Sequence, residues 1–541
     1  MSLSSLVFSE YRAATYVLAL AIGCVATLFL TPLVRRAAIK LDFVDKPGGR
    51  KTQKAAVALG GGLAVTCGLF AAVLIAFLFA DVALSATFFG DDVRFFTGLA
   101  AAALATLALG LYDDATAMKG RYKLLVQMAI SGMLVYLGVT MDRFTVFGVQ
   151  LELGWMTIPF SMFWLLGSTN AINLLDGIDG LASGVGMVLC LTLATINALF
   201  GHFPEAVVML ALAGALLGFL RYNFAPATIY LGDAGSMVIG LIIGSVAMHT
   251  HAKTPAFVAM VVPLAVWAVP ILDSGAAIVR RRLTGRSIFA PDRGHLHHSL
   301  LTRGWSVRQA TTFITLICGV TCLSAVIGVL WANEWVVIVT VLLVVSFLIS
   351  SRTFGHVEFE LLRERLRQSG IGLRGGDQTN HHLPSHGSVR LQGEHEWETM
   401  WASLVESAPD YGLTRLRLSI HMPAVQEAFY ANWRAPKAKK PDADRVWKVT
   451  HPLVVEGAPV GMLEVHGVAD EPSRSTLAHV TQVLDFLEPI EEDVRRVRER
   501  LLLARGAVAP AAAPEVAGPP APHSPVASAV SPETVGSAPP A

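Results

Sequence analysis

Long apolar runs separated by short polar segments dominate the first two thirds of the chain. Eleven can be traced, near residues 12–33, 58–80, 95–112, 122–140, 154–172, 183–200, 205–221, 230–248, 255–273, 309–331 and 335–351. Each approaches the roughly 17–25 residues that a helix needs to cross the hydrocarbon of a bilayer. The pattern predicts an all-α polytopic membrane protein with about 11 transmembrane helices over residues 1–351. The first run has no basic stretch before it and no clear small-residue cleavage site, so it reads as a retained span.

Past residue 351 the periodicity changes. Residues 352–390 are polar and rich in Gly, His and Arg, and read as a linker. Residues 391–505 read as a small soluble α/β domain on the cytoplasmic side. WETMWASLVESA has helical spacing, RLRLSIHM alternates as a strand, and VWKVTHPLVVEGAPVGMLEVHGV folds back at EGAP. STLAHVTQVLDFLEPIEEDVRRVRERLLLA predicts a long amphipathic helix. Residues 506–541 are Ala/Pro-rich and read as a disordered tail.

Composition agrees with the apolar pattern. Of 541 residues, 53% are hydrophobic and 15% charged, too apolar for an ordinary soluble protein. The formal net charge of +1 gives no electrostatic footprint for nucleic acid. The five cysteines fall inside apolar runs without metal-site spacing and read as small buried hydrophobes.

Charge also orients the chain. Segments 34–57, 113–123, 221–229 and 274–308 hold 7, 3, 1 and 7 Lys/Arg, whereas the intervening connections hold only Arg94, Arg143 and Lys253. Basic residues favour the cytoplasmic side. This predicts an external N-terminus and a cytoplasmic C-terminus. Residues 1–351 contain thirteen Asp but four Glu, and nine of the Asp lie on the predicted cytoplasmic side. Preference for the shorter carboxylate suits metal or phosphate chemistry, with helix capping as the alternative.

Four polar clusters lie at that face. In GLYDDATAMKGRYKLLVQ, adjacent Asp113 and Asp114 repel unless a cation or shared proton intervenes, and Lys123 follows. In NAINLLDGIDGLASG, Asn173, Asp176 and Asp179 are spaced by three, but the glycines favour a broken helix end over one helical face. Amides there suit a nucleobase edge, and carboxylates suit metal or imide N–H groups. In RYNFAPATIYLGDAGSMVIG, Asp233 stands between glycines, ten residues after Asn223. It could ligate a metal or simply cap a helix starting near Ser236. In RRRLTGRSIFAPDRGHLHHSLL, Arg293 and His295, His297 and His298 suit a pyrophosphate better than a transition metal. Cations, acids and amides on one membrane face together suit phosphoryl transfer, which works by positioning and charge neutralisation.

The ordered set DxPxxRK (Asp45–Lys51), DD…KLLVQ, NxxNLLDGxDGLA, GDxGS and DRGHLHHxLL resembles the polyprenyl-phosphate N-acetylhexosamine-1-phosphate transferase family, over residues 12–351. The resemblance implies a bacterial inner-membrane enzyme that moves a sugar-1-phosphate from a UDP-N-acetylhexosamine, GlcNAc in the first instance, to undecaprenyl phosphate. It implies release of UMP and use of Mg²⁺, with Mn²⁺ as a substitute. Asp113 and Asp114 would act at the lipid-phosphate and catalytic end, and His297 and His298 with Arg293 would close over the diphosphate or sugar. Asp233, with Asn173, would hold the metal. Lys123 would contact the pyrophosphate, and Asn173, Asp176, Asp179 and Asn223 would line the nucleotide pocket. Arg50 and Lys51 belong to the substrate-binding set.

The chain departs from the family pattern after Lys51. Gln53, Ala56 and Ala58 stand where a histidine and two prolines are usual. The competing readings are a UDP-MurNAc-pentapeptide transferase and a lipid-linked sugar transporter, with a sensor built around residues 391–505 as a third. That domain carries no enzymatic signature and suits regulation, homodimer contacts or a protein partner.

Overall fold

The computed structural model describes residues 3–46, 56–79, 92–146, 149–253, 261–283, 295–351, 353–355 and 359, and, towards the C-terminus, 385–392, 397–409, 411–422, 425, 427–435, 446–455, 458–468 and 491–500. A helix overlaps each of the eleven apolar runs: α1 (Leu3–Lys40), α2 (Gly61–Phe79), α3 (Val93–Thr116), α4 (Gly120–Tyr136), α5 (Thr157–Leu175), α6 (Leu181–Leu199), α7 (Phe203–Asn223), α8 (Gly232–Lys253), α9 (Val261–Leu283), α11 (Val307–Leu330) and α12 (Trp335–Ser350). The short α10 (Leu296–Thr302) lies between α9 and α11. Among the described residues, seven helices (α1–α3, α6–α8 and α11) are both long and apolar enough to cross a bilayer. The chain is therefore a mostly helical, polytopic membrane protein.

Helix α8 is the axis of the bundle. Met237, Val238, Ile239, Ile242, Ile243 and Val246 on it are all buried, so it is apolar all round, as a helix enclosed by others must be. Helices α2, α3, α5 and α6 pack against it. Outside it, α1 and α7 form a seam in which backbone meets backbone. A Cβ added at Gly214 or Gly218 on α7 would strike the carbonyl of Leu20 or Cys24 on α1. Interfaces of this kind use small residues because lipid gives no hydrophobic drive to association.

The connections α3–α4, α5–α6 and α7–α8 lie at one end of the bundle. Residues 229–231, leading into α8, run beside the start of α2: Gly61 N–H donates to Tyr230 O at 3.0 Å and Gly62 N–H to Leu231 O at 2.9 Å. At the same end Arg35 Nε reaches Thr228 O at 3.1 Å. Elsewhere β1 (Val44–Asp45) pairs antiparallel with β2 (Val57–Ala58), and β3 (Arg143–Val146) with β4 (Val149–Glu152).

In the C-terminal region five antiparallel strands form a sheet of order β5-β7-β6-β9-β8, where β5 is Ser385–Gln392, β6 Leu413–Met422, β7 Glu427–Arg434, β8 Val446–Val455 and β9 Ala458–Val468. Leu416, Leu418 and Ile420 alternate into its apolar core beside Trp397 and Trp401 of the helix Trp397–Ser407. Val494 and Val497 of helical residues 491–500 complete that core. The strand at RLRLSIHM, the hairpin at EGAP and the helix at Trp397 lie where alternation and spacing predict them. Strand β5 begins inside the stretch read as a linker. The remainder of that linker up to residue 384, apart from 353–355 and 359, and the tail 506–541 lie outside the described residues.

Candidate functional site

The site forms where three helix–helix connections meet. Helix α3 ends in a left-handed residue, Ala117, so the chain turns sharply after the paired acids. Asp113 Oδ1 accepts the Met118 N–H at 2.8 Å, which holds that turn. Its other oxygen lies 2.9 Å from Lys123 Nζ in the first turn of α4. The same ammonium lies 2.5 Å from Asp233 Oδ2 and donates to Asn173 Oδ1 at 3.3 Å. Asn173 Nδ2 in turn donates to Asp233 Oδ1 at 2.6 Å and to Ser236 Oγ at 3.0 Å. Residues up to 123 positions apart in sequence thus share one hydrogen-bonded cluster.

The two adjacent aspartates have different tasks. Asp114 accepts the backbone N–H groups of Asp233 at 2.9 Å and Ala234 at 3.3 Å. It caps α8 from another helix, satisfying donors that a helix start leaves without partners. The helix begins at Gly232, not near Ser236, so Asp233 lies inside the first turn and receives its cap from Asp114. Gly232 has φ +73°, and an added Cβ would collide with the Asp114 carboxylate. Only glycine lets the backbone approach this closely in that conformation.

NAINLLDGIDG is the predicted broken helix end. Asn173 is still helical, α5 stops at Leu175, and residues 176–180 turn before α6 begins after Gly180 at φ +77°. Asp179 Oδ2 accepts the Ala227 N–H at 2.8 Å, and Thr311 Oγ1 donates to its carbonyl at 3.0 Å. Burial raises the Asp176 carboxyl well above the usual carboxylate range, with Asp233, Asp114 and Asp179 adding repulsion. Asn223 is buried, accepts from Ser183 Oγ at 3.0 Å and donates to Ile229 O at 3.1 Å. It is the last residue of α7, and both ends of its amide are engaged within the protein.

The histidine cluster comes to the same turn. His297 is buried, and its Nε2 stands where a Cβ on Gly177 would lie. Burial, with charge on His298 next, pushes its pKa down to about 3, so the ring is neutral. The His298 ring lies 4.3 Å from it, centroid to centroid. Asp273 organises this segment. It is buried on α9, lies 2.9 Å from His295 Nδ1 and accepts the Leu296 N–H at 2.7 Å. Its only signal was its place among the cytoplasmic-side aspartates. Arg50, Lys51 and Arg293 lie outside the described residues.

The donor set fits a hard divalent cation. Asp113, Asp233 and Asn173 direct oxygens at one ammonium, which stands in for positive charge at that point. All-oxygen ligation is what Mg²⁺ selects, usually one or two carboxylates plus substrate phosphates.

A family model described as Glycosyl transferase family 4 matches residues 96–251. Among curated relatives, a "probable undecaprenyl-phosphate N-acetylglucosaminyl 1-phosphate transferase" of Bacillus subtilis is 33% identical over 338 residues, 62% of this chain and 91% of its own. A "decaprenyl-phosphate N-acetylglucosaminephosphotransferase" of Mycolicibacterium smegmatis is 33% identical over 329 residues, 56% of this chain and 79% of its own. A "phospho-N-acetylmuramoyl-pentapeptide-transferase" of Clostridium botulinum is 34% identical over 219 residues, 39% of this chain and 65% of its own.

Proposed function

Because the chain belongs to glycosyl transferase family 4, we propose that it transfers GlcNAc-1-phosphate from UDP-GlcNAc to undecaprenyl phosphate, releasing UMP, as the first step of a cell-envelope polysaccharide. The observation that carries this reading is the cluster of Asp113, Lys123, Asn173 and Asp233 at the helix ends. It gathers the cation-binding and phosphate-binding chemistry that the reaction needs. The N-acetylglucosaminyl relatives align over most of their own length, which favours this donor over UDP-MurNAc-pentapeptide.

An oxygen of the lipid phosphate attacks the β-phosphorus of the UDP-sugar. The new P–O bond forms as the bond from that phosphorus to UMP breaks. A phosphate monoester has a second pKa near 6, so the nucleophile is largely dianionic and needs orientation more than a strong base. Asp233 and Asn173, with Asp113, would hold Mg²⁺, which supplies charge neutralisation at the diphosphate. Lys123, placed among these oxygens, would contact a phosphate oxygen of the diphosphate. Asp114 is a positioning residue, fixing Asp233 through the start of α8. Asp176, whose carboxyl pKa is raised by burial and the neighbouring aspartates, would line the nucleotide pocket. Asp179 and Asn223 brace the loop before α8. Neutral His297 packs the His298 side of the site against Gly177.

The reading extends to topology. All eleven apolar helices span the inner membrane, the site faces the cytoplasm, and residues 391–505 form a cytoplasmic domain for a protein partner or a second copy. The test is UMP release by the purified protein with undecaprenyl phosphate, Mg²⁺ and a panel of UDP-sugars. Release with UDP-GlcNAc is expected. Release with UDP-MurNAc-pentapeptide alone, or none with any donor, overturns the proposal.

A further inference from the structure

A second cluster of ligand-type side chains lies at the opposite end of the bundle. Asp92 precedes α3, Glu205 is in the first turn of α7, and His249 is near the end of α8. Their ligand atoms all lie within 4.8 Å of one another. Along α8 the sixteen residues from Asp233 to His249 rise about 24 Å, and along α3 the step from Asp92 to Asp113 rises about 31 Å. The cluster is therefore separate from the proposed active site, on the other side of the apolar core.

Its geometry has the dimensions of a metal site. His249 Nε2 is 3.4 Å from Asp92 Oδ1 and 3.4 Å from Glu205 Oε1. These distances exceed the roughly 2.7–3.2 Å of a good N–H···O hydrogen bond. They match the edge of a tetrahedron around zinc, about 3.3–3.6 Å when ligands stand about 2.0–2.2 Å from the ion. The imidazole plane is set by Phe95, whose ring stacks on it at 3.7 Å and 5°. Glu205 is 1% exposed. One histidine and two carboxylates give a mixed N/O set, which favours a borderline ion over Mg²⁺ and leaves the fourth position for water.

We propose that Asp92, Glu205 and His249 bind a zinc-class divalent ion, which clamps the starts of α3 and α7 to the end of α8. The rival is a proton in place of the metal, with imidazolium bridging the two acids.

The full-length protein, freed of any affinity tag, is purified in detergent, stripped with chelator, and titrated with Zn²⁺ and with Co²⁺ as a spectroscopic probe. One ion per chain should remain after gel filtration, with the intense visible absorption of tetrahedral Co²⁺ and a higher unfolding temperature in Zn²⁺. His249→Gln and Glu205→Gln should weaken binding at least about tenfold, the scale that loss of a ligand's supporting partner already causes. Asp233→Asn, at the far end of α8, should retain the ion. Wild-type protein that retains no Zn²⁺ overturns the proposal without any variant. So does equal retention by folded His249→Gln and Glu205→Gln.

Discussion

Lys123 is the central cation of the cluster, and replacing it isolates the electrostatics of the site. In Lys123→Met, the facing oxygens of Asp113 and Asp233 lose the ammonium that both touch, at 2.9 and 2.5 Å. Those oxygens are at most about 5.4 Å apart, the two contacts laid end to end. With an effective dielectric near 20, like charges at about 5 Å repel by roughly 3 kcal/mol. This agrees with the roughly 3–5 kcal/mol cost of removing one partner from a buried ion pair. In EDTA the variant should therefore unfold several degrees below wild type. Mg²⁺ should close much of that gap, because a divalent ion between the carboxylates replaces the lost charge. The assay is thermal unfolding of both purified proteins in detergent, with EDTA and with Mg²⁺. The reasoning fails if the variant matches wild type in EDTA, or if Mg²⁺ shifts both midpoints equally.

Asp233→Asn should abolish UMP release from folded protein; turnover near the wild-type rate would remove Asp233 from the chemistry. Asp114→Ala should lose turnover and also about 1–2 kcal/mol of stability, because it removes an N-cap; denaturant titration beside the UMP assay checks both. A raised folded pKa means that the stability tied to Asp176 is lost as pH rises through that pKa. Asp176→Asn should accordingly gain stability over wild type as pH rises above the ordinary Asp pKa of about 4, measured by unfolding midpoints. His297 has the opposite sign: its folded pKa lies below the unfolded value, so its contribution is complete above pH ~6.5 and is lost as pH falls towards 3. The full excursion is on the order of 5 kcal/mol. His297→Gln should flatten acid unfolding in that window, and an unchanged acid limb would refute the assignment.

The helices were legible because membrane spans report themselves by length and apolarity, independent of tertiary detail. Motif residues such as Asp113, Asp233 and Asn173 were legible because charge in such surroundings is costly and stands out. Their division of labour was not. Nothing in DD says that Asp114 caps a helix 118 positions away while its neighbour holds Lys123. Asp273 was missed for the same reason, since its partners His295 and Leu296 are more than twenty residues distant. Strands β5 and β7 escaped because short strands carry little periodic signal and take their stability from cross-strand neighbours. Asn223, expected to line the nucleotide pocket, has its amide engaged by the Ser183 hydroxyl and the Ile229 carbonyl, partners forty and six positions away that the sequence does not announce.

The seam between α1 and α7 bears on how a lipid could reach the helix ends. Where Gly214 and Gly218 press against carbonyls of the neighbouring helix, no gap remains for a hydrocarbon chain. That wall is shut to lateral traffic along its length. A long isoprenoid tail must then come in through another part of the perimeter, and a search for its doorway starts by leaving this one out.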